Sequence, residues 1–260
     1  MELMVLIGLE QVYWLNVVAL GWFLICFNGY NRYARIKSRT IPCLVNVLHL
    51  YRINWMRQLL LRDVRVADIA AIANLERSVA FFASSTLILL AGLLTVFGTS
   101  EQAVNLLAEF PLAIETSRME WELKLLVLTG LFIYAFFKFT WSLRQYGFAS
   151  VLIGSAPVRN NAGSDADSGA DSEADCEVFI HRTAQMETMA ANNFNHGLRA
   201  YYFSLALLGW VINPWVLIVM STGVVYVLYQ REFCSPTLRT LMVGLEKAQI
   251  VDSSYQQLIK

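Results

Sequence analysis

Two cations stand inside apolar sequence. Lys138 interrupts FIYAFFKFTW, and Arg199 precedes Ala200–Gln230, a run without charge. An ionisable side chain in an apolar segment is costly, and it is a candidate for ligand binding or ion movement. Near these two lie other polar residues. Asn74, Glu76 and Arg77 precede one apolar segment, and Arg144 follows another. Asn192, Asn193, Asn195 and His196 come just before Arg199, and Arg231 and Glu232 close the run. As one layer they could bind an anionic ligand or lipid headgroup, or dock a partner. The plainer reading is a ring of interface charges, paired with one another or snorkelling to water.

Sharper chemistry is not indicated. The chain has no G-x-S-x-G, H-E-x-x-H, phosphate-binding loop or Gly-rich dinucleotide fingerprint. Its three histidines, His49, His181 and His196, all fall outside the apolar segments, so a haem inside a helical bundle is not expected. Asp165, Asp167 and Asp171 give a partial calcium-loop pattern. Gly169 falls at position five and Cys176 at position twelve, so the pattern fails. Cys26, Cys43, Cys176 and Cys234 form no C-x-x-C pair. No catalytic residue, metal or cofactor is expected, and the balance leans against an enzyme.

The elements that must position these residues follow from composition. Hydrophobic residues make up 57% of the 260 and charged residues 15%, against about 25% charged in soluble domains. Mean hydropathy is +0.48. The chain therefore reads as an all-α, polytopic helical membrane protein, a single membrane domain over 1–260. Its net charge of zero gives no argument for nucleic acid. Apolar segments run over Gln11–Phe27, Val79–Phe97 and Leu125–Leu143. With no basic residue before Arg32 and no small-residue cleavage pattern, the start does not read as a cleavable signal peptide.

Lys and Arg set the orientation. Nine lie between the first two segments: Arg32, Arg35, Lys37, Arg39, Arg52, Arg57, Arg62, Arg65 and Arg77. The next loop carries Glu101, Glu109, Glu115, Glu120 and Glu122, with Arg118 and a bordering Lys124. The expected topology is N-terminus outside and C-terminus cytoplasmic, in a bacterial inner membrane. The run Ala200–Gln230 is one helix or two. A single helix would be about 45 Å long against a hydrocarbon core of about 30 Å. Asn213-Pro214 is a turn dipeptide, and Trp210 and Trp215 flank it like interface anchors. The hairpin is favoured and gives five crossings; one helix would give four.

Residues 40–66 hold Leu44, Val47, Leu48, Tyr51, Trp55 and Leu59 at helical spacing, interleaved with Arg52, Arg57 and Arg62. This reads as a cytoplasmic amphipathic helix on anionic inner-leaflet lipids. Ala80, Ser84, Ala91 and Thr95 form a small-residue stripe, with Leu87 the large exception, the mark of a packing face between membrane helices. Residues 160–177 are acidic and of low complexity, which predicts a disordered cytoplasmic linker.

The blocks RINWMRQLLLRDVRVADIAAIANLERSVAFFASSTLILLAG, LKLLVLTGLFIYAFFKFTWSLRQYGFASVLIGSAP and FNHGLRAYYFSLALLGWVINPWVLIVMSTGVVYVLYQREFCS resemble family 599 of the domains of unknown function. The likeness spans about Tyr33 to Leu241. That family comprises membrane proteins of bacteria and also plants, and the resemblance implies no activity, cofactor or substrate. The expected function is a non-enzymatic scaffold or accessory protein, working as a homo-oligomer or with a membrane-protein partner. The alternative is an oligomeric transporter or channel for a small anionic solute. A lipid-modifying enzyme is the least favoured.

Overall fold

The structure, a computed structural model, describes residues 2–38, 40–108, 117–157 and 166–247. Among the described residues every regular element is an α-helix. They are α1 (Glu2–Lys37), α2 (Leu44–Leu60), α3 (Val66–Gly98), α4 (Ser100–Ala108), α5 (Arg118–Gly154), α6 (Ala166–Ile212), α7 (Pro214–Phe233) and α8 (Pro236–Lys247).

Local sequence chemistry places the helix starts. Ser117 and Glu120 form a reciprocal capping box at α5: the Ser117 hydroxyl accepts from the Glu120 amide and the Glu120 carboxylate accepts from the Ser117 amide, both at 3.3 Å. Asn213 caps α7, its side-chain oxygen accepting from the Trp215 amide at 2.9 Å, with Pro214 in the first helical position. Ser235 and Pro236 repeat the device at α8, the hydroxyl accepting from the Leu238 amide at 3.1 Å. Helix α6 begins at Ala166, inside the stretch 160–177 read as a linker. Once a helix is nucleated, each further residue adds a hydrogen bond at little cost, so a stable helix extends into polar sequence. Residues 158–165 lie outside the described residues.

The chain divides into two compact units. Unit 1 holds Met1–Arg39, Ser85–Ala135 and Leu198–Arg231. In it, α7 doubles back along α6. Trp210 donates to Asn16 of α1 at 2.8 Å, and Trp22 of α1 donates to Thr222 at 3.1 Å. Asn16 and Trp22 are six residues apart, about 9 Å of helix. In one straight helix Trp210 and Thr222 would be twelve residues apart, about 18 Å. Folded at Asn213, Trp210 lies three residues before the turn and Thr222 nine after it. Their levels then differ by six residues, as α1 requires. Two further contacts agree. A Cβ on Gly209 would lie 2.7 Å from both Met220 Sδ and Val216 Cγ1, and Arg231 donates to the Tyr202 hydroxyl. The hairpin at Asn213-Pro214 is thus a feature of the fold. Phe23 and Phe27 of α1 each meet Phe203 edge to face, and Tyr201 meets Phe132 in the same way.

Unit 2 holds Thr40–Ser84, Phe136–Gly197 and Glu232–Lys260. Here α2 forms as expected, but its apolar residues face protein. Met56, Leu59 and Leu60 pack with Ile72 of α3, Ile153 of α5, and Ile180 and Ala184 of α6. Val47 and Leu50 pack with Leu238 of α8. The arginines of this region also have protein partners. Arg62 bonds Asp68 at 2.6 Å, Arg57 lies 3.5 Å from Glu177, and Arg65 donates to the Ala156 and Pro157 carbonyls just after α5. An aromatic trio, Phe82, Phe139 and Phe194, joins α3, α5 and α6.

Three helical stretches among the described residues are long and apolar enough to cross a membrane. They are Val66–Gly98, Arg118–Gly154 and Pro214–Gly244, the last taking in α7 and part of α8. The end of α6 is not among them, because α6 is mostly polar before Arg199. The expected first segment, Gln11–Phe27, begins outside the residues whose side chains are described.

The Phe139 ring lies where a Cβ on Gly197 would sit, and Phe139 is fully buried. Gly197→Val should therefore cost about 1–3 kcal/mol, as overpacking does. A thermal melt of the detergent-solubilised protein measures this. An unchanged midpoint would contradict the packing described.

Candidate functional site

The residues singled out from sequence fall into local groups. In unit 2, Lys138 of α5 donates to the Asn193 side-chain oxygen of α6 at 3.3 Å. Asn193 donates in turn to Gln145 at 2.7 Å and to the Met189 carbonyl at 3.1 Å. Ser142 adds a bond to the Ala190 carbonyl at 2.7 Å. Together these make a polar seam between α5 and α6. His196 donates through Nδ1 to the Asn192 carbonyl one turn back, at 2.6 Å. That carbonyl can only accept, so the proton is on Nδ1. Arg77 bonds Asn74 within α3 at 3.3 Å, on the surface. Arg144 is exposed and lies over the Phe148 ring; Glu76 and Glu232 are half-buried.

In unit 1, Arg199 donates to the Asn31 side chain of α1 at 3.0 Å and lies over the Tyr30 ring. Arg231 lies over the Tyr202 ring as well as bonding its hydroxyl. Both cations tie the end of one helix to another. Lys138 is thus joined directly to Asn193, and Asn74 to Arg77.

The group with the most unusual electrostatics was not singled out from sequence. Glu187 of α6 has a fully buried side chain (0% exposed), and its nearest cation is Arg52 of α2, with Nε at 3.8 Å and a side chain 16% exposed. That distance is an ion pair without a hydrogen bond. Neither carboxylate oxygen accepts a hydrogen bond from any described group, and the buried Thr183 hydroxyl is likewise unpaired. Arg52 instead donates weakly to Thr188, which also accepts from His49 Nδ1 at 2.8 Å. The Thr188 hydroxyl gives its one proton to the Ala184 carbonyl. His49 must therefore be the donor, carrying its proton on Nδ1.

Burial dominates this group. It pushes the Glu187 carboxyl from 4.5 up to about 7, with Arg52 pulling the other way. Burial also lowers Arg52, against the pull of Glu187, and lowers His49, with Arg52 and His181 adding to the effect. Both members of the pair move toward their neutral forms, so desolvation outweighs their attraction. A signal for this group exists in the sequence. Ile180, Thr183, Ala184 and Glu187 follow the i, i+3, i+4, i+7 spacing of one helix face. A carboxylate on such a stripe must be buried or break it. Among the described residues no cluster of His, Cys, Asp and Glu could hold a metal ion.

The model of a family described as a protein of unknown function, DUF599, matches residues 18–237, most of the chain. No curated protein and no solved structure matches it.

Asn193 makes three hydrogen bonds in the seam, and its partner Gln145 is buried. Asn193→Ala should cost about 1–3 kcal/mol by leaving that amide unpaired. Arg77→Ala, at an exposed local contact, should stay within about 0.5 kcal/mol. Parallel denaturation curves of the two variants check this, and equal effects would remove the seam's distinction.

Proposed function

The chain belongs to the DUF599 family, and we propose that it is an integral membrane protein acting as a non-enzymatic interaction component of a bacterial inner membrane. One observation carries the membrane part. The apolar helices turn large side chains outward: Trp14 and Ile25 on α1, Ile88 and Leu94 on α3, Leu126 on α5, Trp215 and Val219 on α7. Ile88 is 73% exposed and Val219 68%. Soluble monomers rarely expose apolar faces beyond a few hundred Å². Hydrocarbon is the solvent that suits such a surface.

Five crossings follow: α1, α3, α5, the end of α6, and α7. Helix α3 has 33 residues and α5 has 37. At about 50 Å or more each, they exceed a core of about 30 Å. Part of each then stands in the headgroups or beyond. The Lys and Arg distribution supports a cytoplasmic side for the end of α1, α2 and the chain after α7. Arg32 and Arg35 are exposed there and suit anionic headgroups.

The interaction role rests on the small-residue stripe of α3. Ser84, Ala91 and Thr95 are exposed, as is Gly92 beside them, and a Cβ on Gly92 would meet nothing. These positions of the stripe are left uncovered by the described residues, while Ala80 is half-buried. Small residues let membrane helices approach closely. A second copy of the chain fits this face, because an isologous pairing needs no other component.

Two measurements test the reading. In a variant keeping Cys234 alone, a membrane-impermeant maleimide should reach it only from the cytoplasmic side, and a cysteine at Asn213 only from outside. Labelling of both from one side would overturn the five-crossing topology. Ala91→Cys should give a cross-linked dimer in native membranes. A protein that stays uncross-linked there, and monomeric in mild detergent, would overturn the self-association.

A further inference from the structure

Glu187 sits where α2 runs antiparallel along α6, within unit 2. The groups facing it are Arg52 and His49 from α2 and Tyr146 from α5, with His181 one to two turns back on α6 acting through His49. A buried carboxylate with two unpaired oxygens and one loosely placed arginine is a poor home for a negative charge. It is a better home for a neutral carboxyl. A metal cation is disfavoured, because Arg52 already places a positive charge 3.8 Å away.

We propose that Glu187 is a proton-binding site that sets how tightly α2 is held against α6. With the proton on, the neutral carboxyl stays buried and the interface closes. With the proton off, the buried charge forces the interface to loosen until Arg52 or water can solvate it. The step is a simple dissociation: the carboxyl O–H breaks, the proton leaves to solvent, and the charge stays on Glu187. The pH range follows from linkage. A carboxyl held up to about 7 in the fold, against 4.5 ordinarily, binds its proton more tightly when folded. Its stabilising contribution is complete in acid and is lost as pH rises through about 7. His49 is lowered rather than raised. A lowered histidine gains stability as pH rises, the opposite sense, so it does not supply the same transition.

Hydrogen exchange over residues 44–60, followed by mass spectrometry, tests this on the full chain in detergent. Wild type is divided by Glu187→Gln at each pH, which cancels the intrinsic pH dependence of exchange. The ratio should be near one at about pH 4, below the ordinary carboxyl value. It should then rise by up to about tenfold per pH unit between about 4.5 and 7 and level off above, as one linked proton requires. His49→Gln should keep the rise. A flat ratio between about pH 5 and pH 7 overturns the proposal. So does a rise abolished by His49→Gln, or one that changes when sodium replaces choline as the salt cation. Should Glu187→Gln fail to fold, wild type alone decides by infrared difference spectroscopy. Loss of a protonated carboxyl between about pH 6 and pH 8 supports the site, and its absence at about pH 6 overturns it.

Discussion

The turn at Asn213-Pro214 is the constraint on which unit 1 depends. A helix that stops leaves backbone amides without partners at the start of the next one. Proline has no amide to leave unpaired, and Asn213 accepts the amide of Trp215. The break therefore costs little, and α7 is free to reverse. Reversal brings Thr222 level with Trp22 and Arg231 level with Tyr202. It also sets Tyr229 beside Tyr33 of α1. A continuous helix would carry Arg231 twenty-nine residues, about 43 Å, beyond Tyr202. None of these contacts survives without the turn.

Much of this was legible from residue order. Asn-Pro between two tryptophans marks a fold-back by turn chemistry, and a chain with 15% charge and long apolar runs marks a helical membrane architecture. The helix at 44–60 was legible from its periodicity. What covers that helix was not. Periodicity reports that a face is apolar, and lipid and protein are equally apolar covers. Only the tertiary arrangement distinguishes them, and it sets Ile180 and Ala184 of α6 and Leu238 of α8 against α2.

The arginines make the same point for charge. Counting Arg52, Arg57, Arg62 and Arg65 gives an orientation, because translocating any cation is costly whatever it later touches. The count carries no information about partners. In the structure Arg62 holds the buried Asp68, which Trp55 also bonds at 2.7 Å, and Arg65 closes the C-terminal end of α5. Lys138 and Arg199 drew attention because they interrupt apolar sequence, and each is hydrogen-bonded to an asparagine on a neighbouring helix. Such bonds let a membrane-proximal cation be structural.

Glu187 was missed for the converse reason. Scanning for ions in uncharged runs finds Lys138 but passes over a glutamate in QMETMAANN, where polar neighbours make it look solvated. Its phase along the helix is what buries it, in register with Ile180 and Ala184. Arg52 and Glu187 are 135 positions apart in the chain. No local pattern pairs them, and only the antiparallel run of α2 along α6 brings His49 and Arg52 opposite Thr188 and Glu187 while Arg57 meets Glu177. The pair is therefore a consequence of the fold. Because burial outweighs its attraction, it opposes the packing that creates it whenever Glu187 is charged. A hydrophobic residue of similar size would relieve that conflict, so the carboxyl makes the α2–α6 contact conditional where leucine would make it permanent.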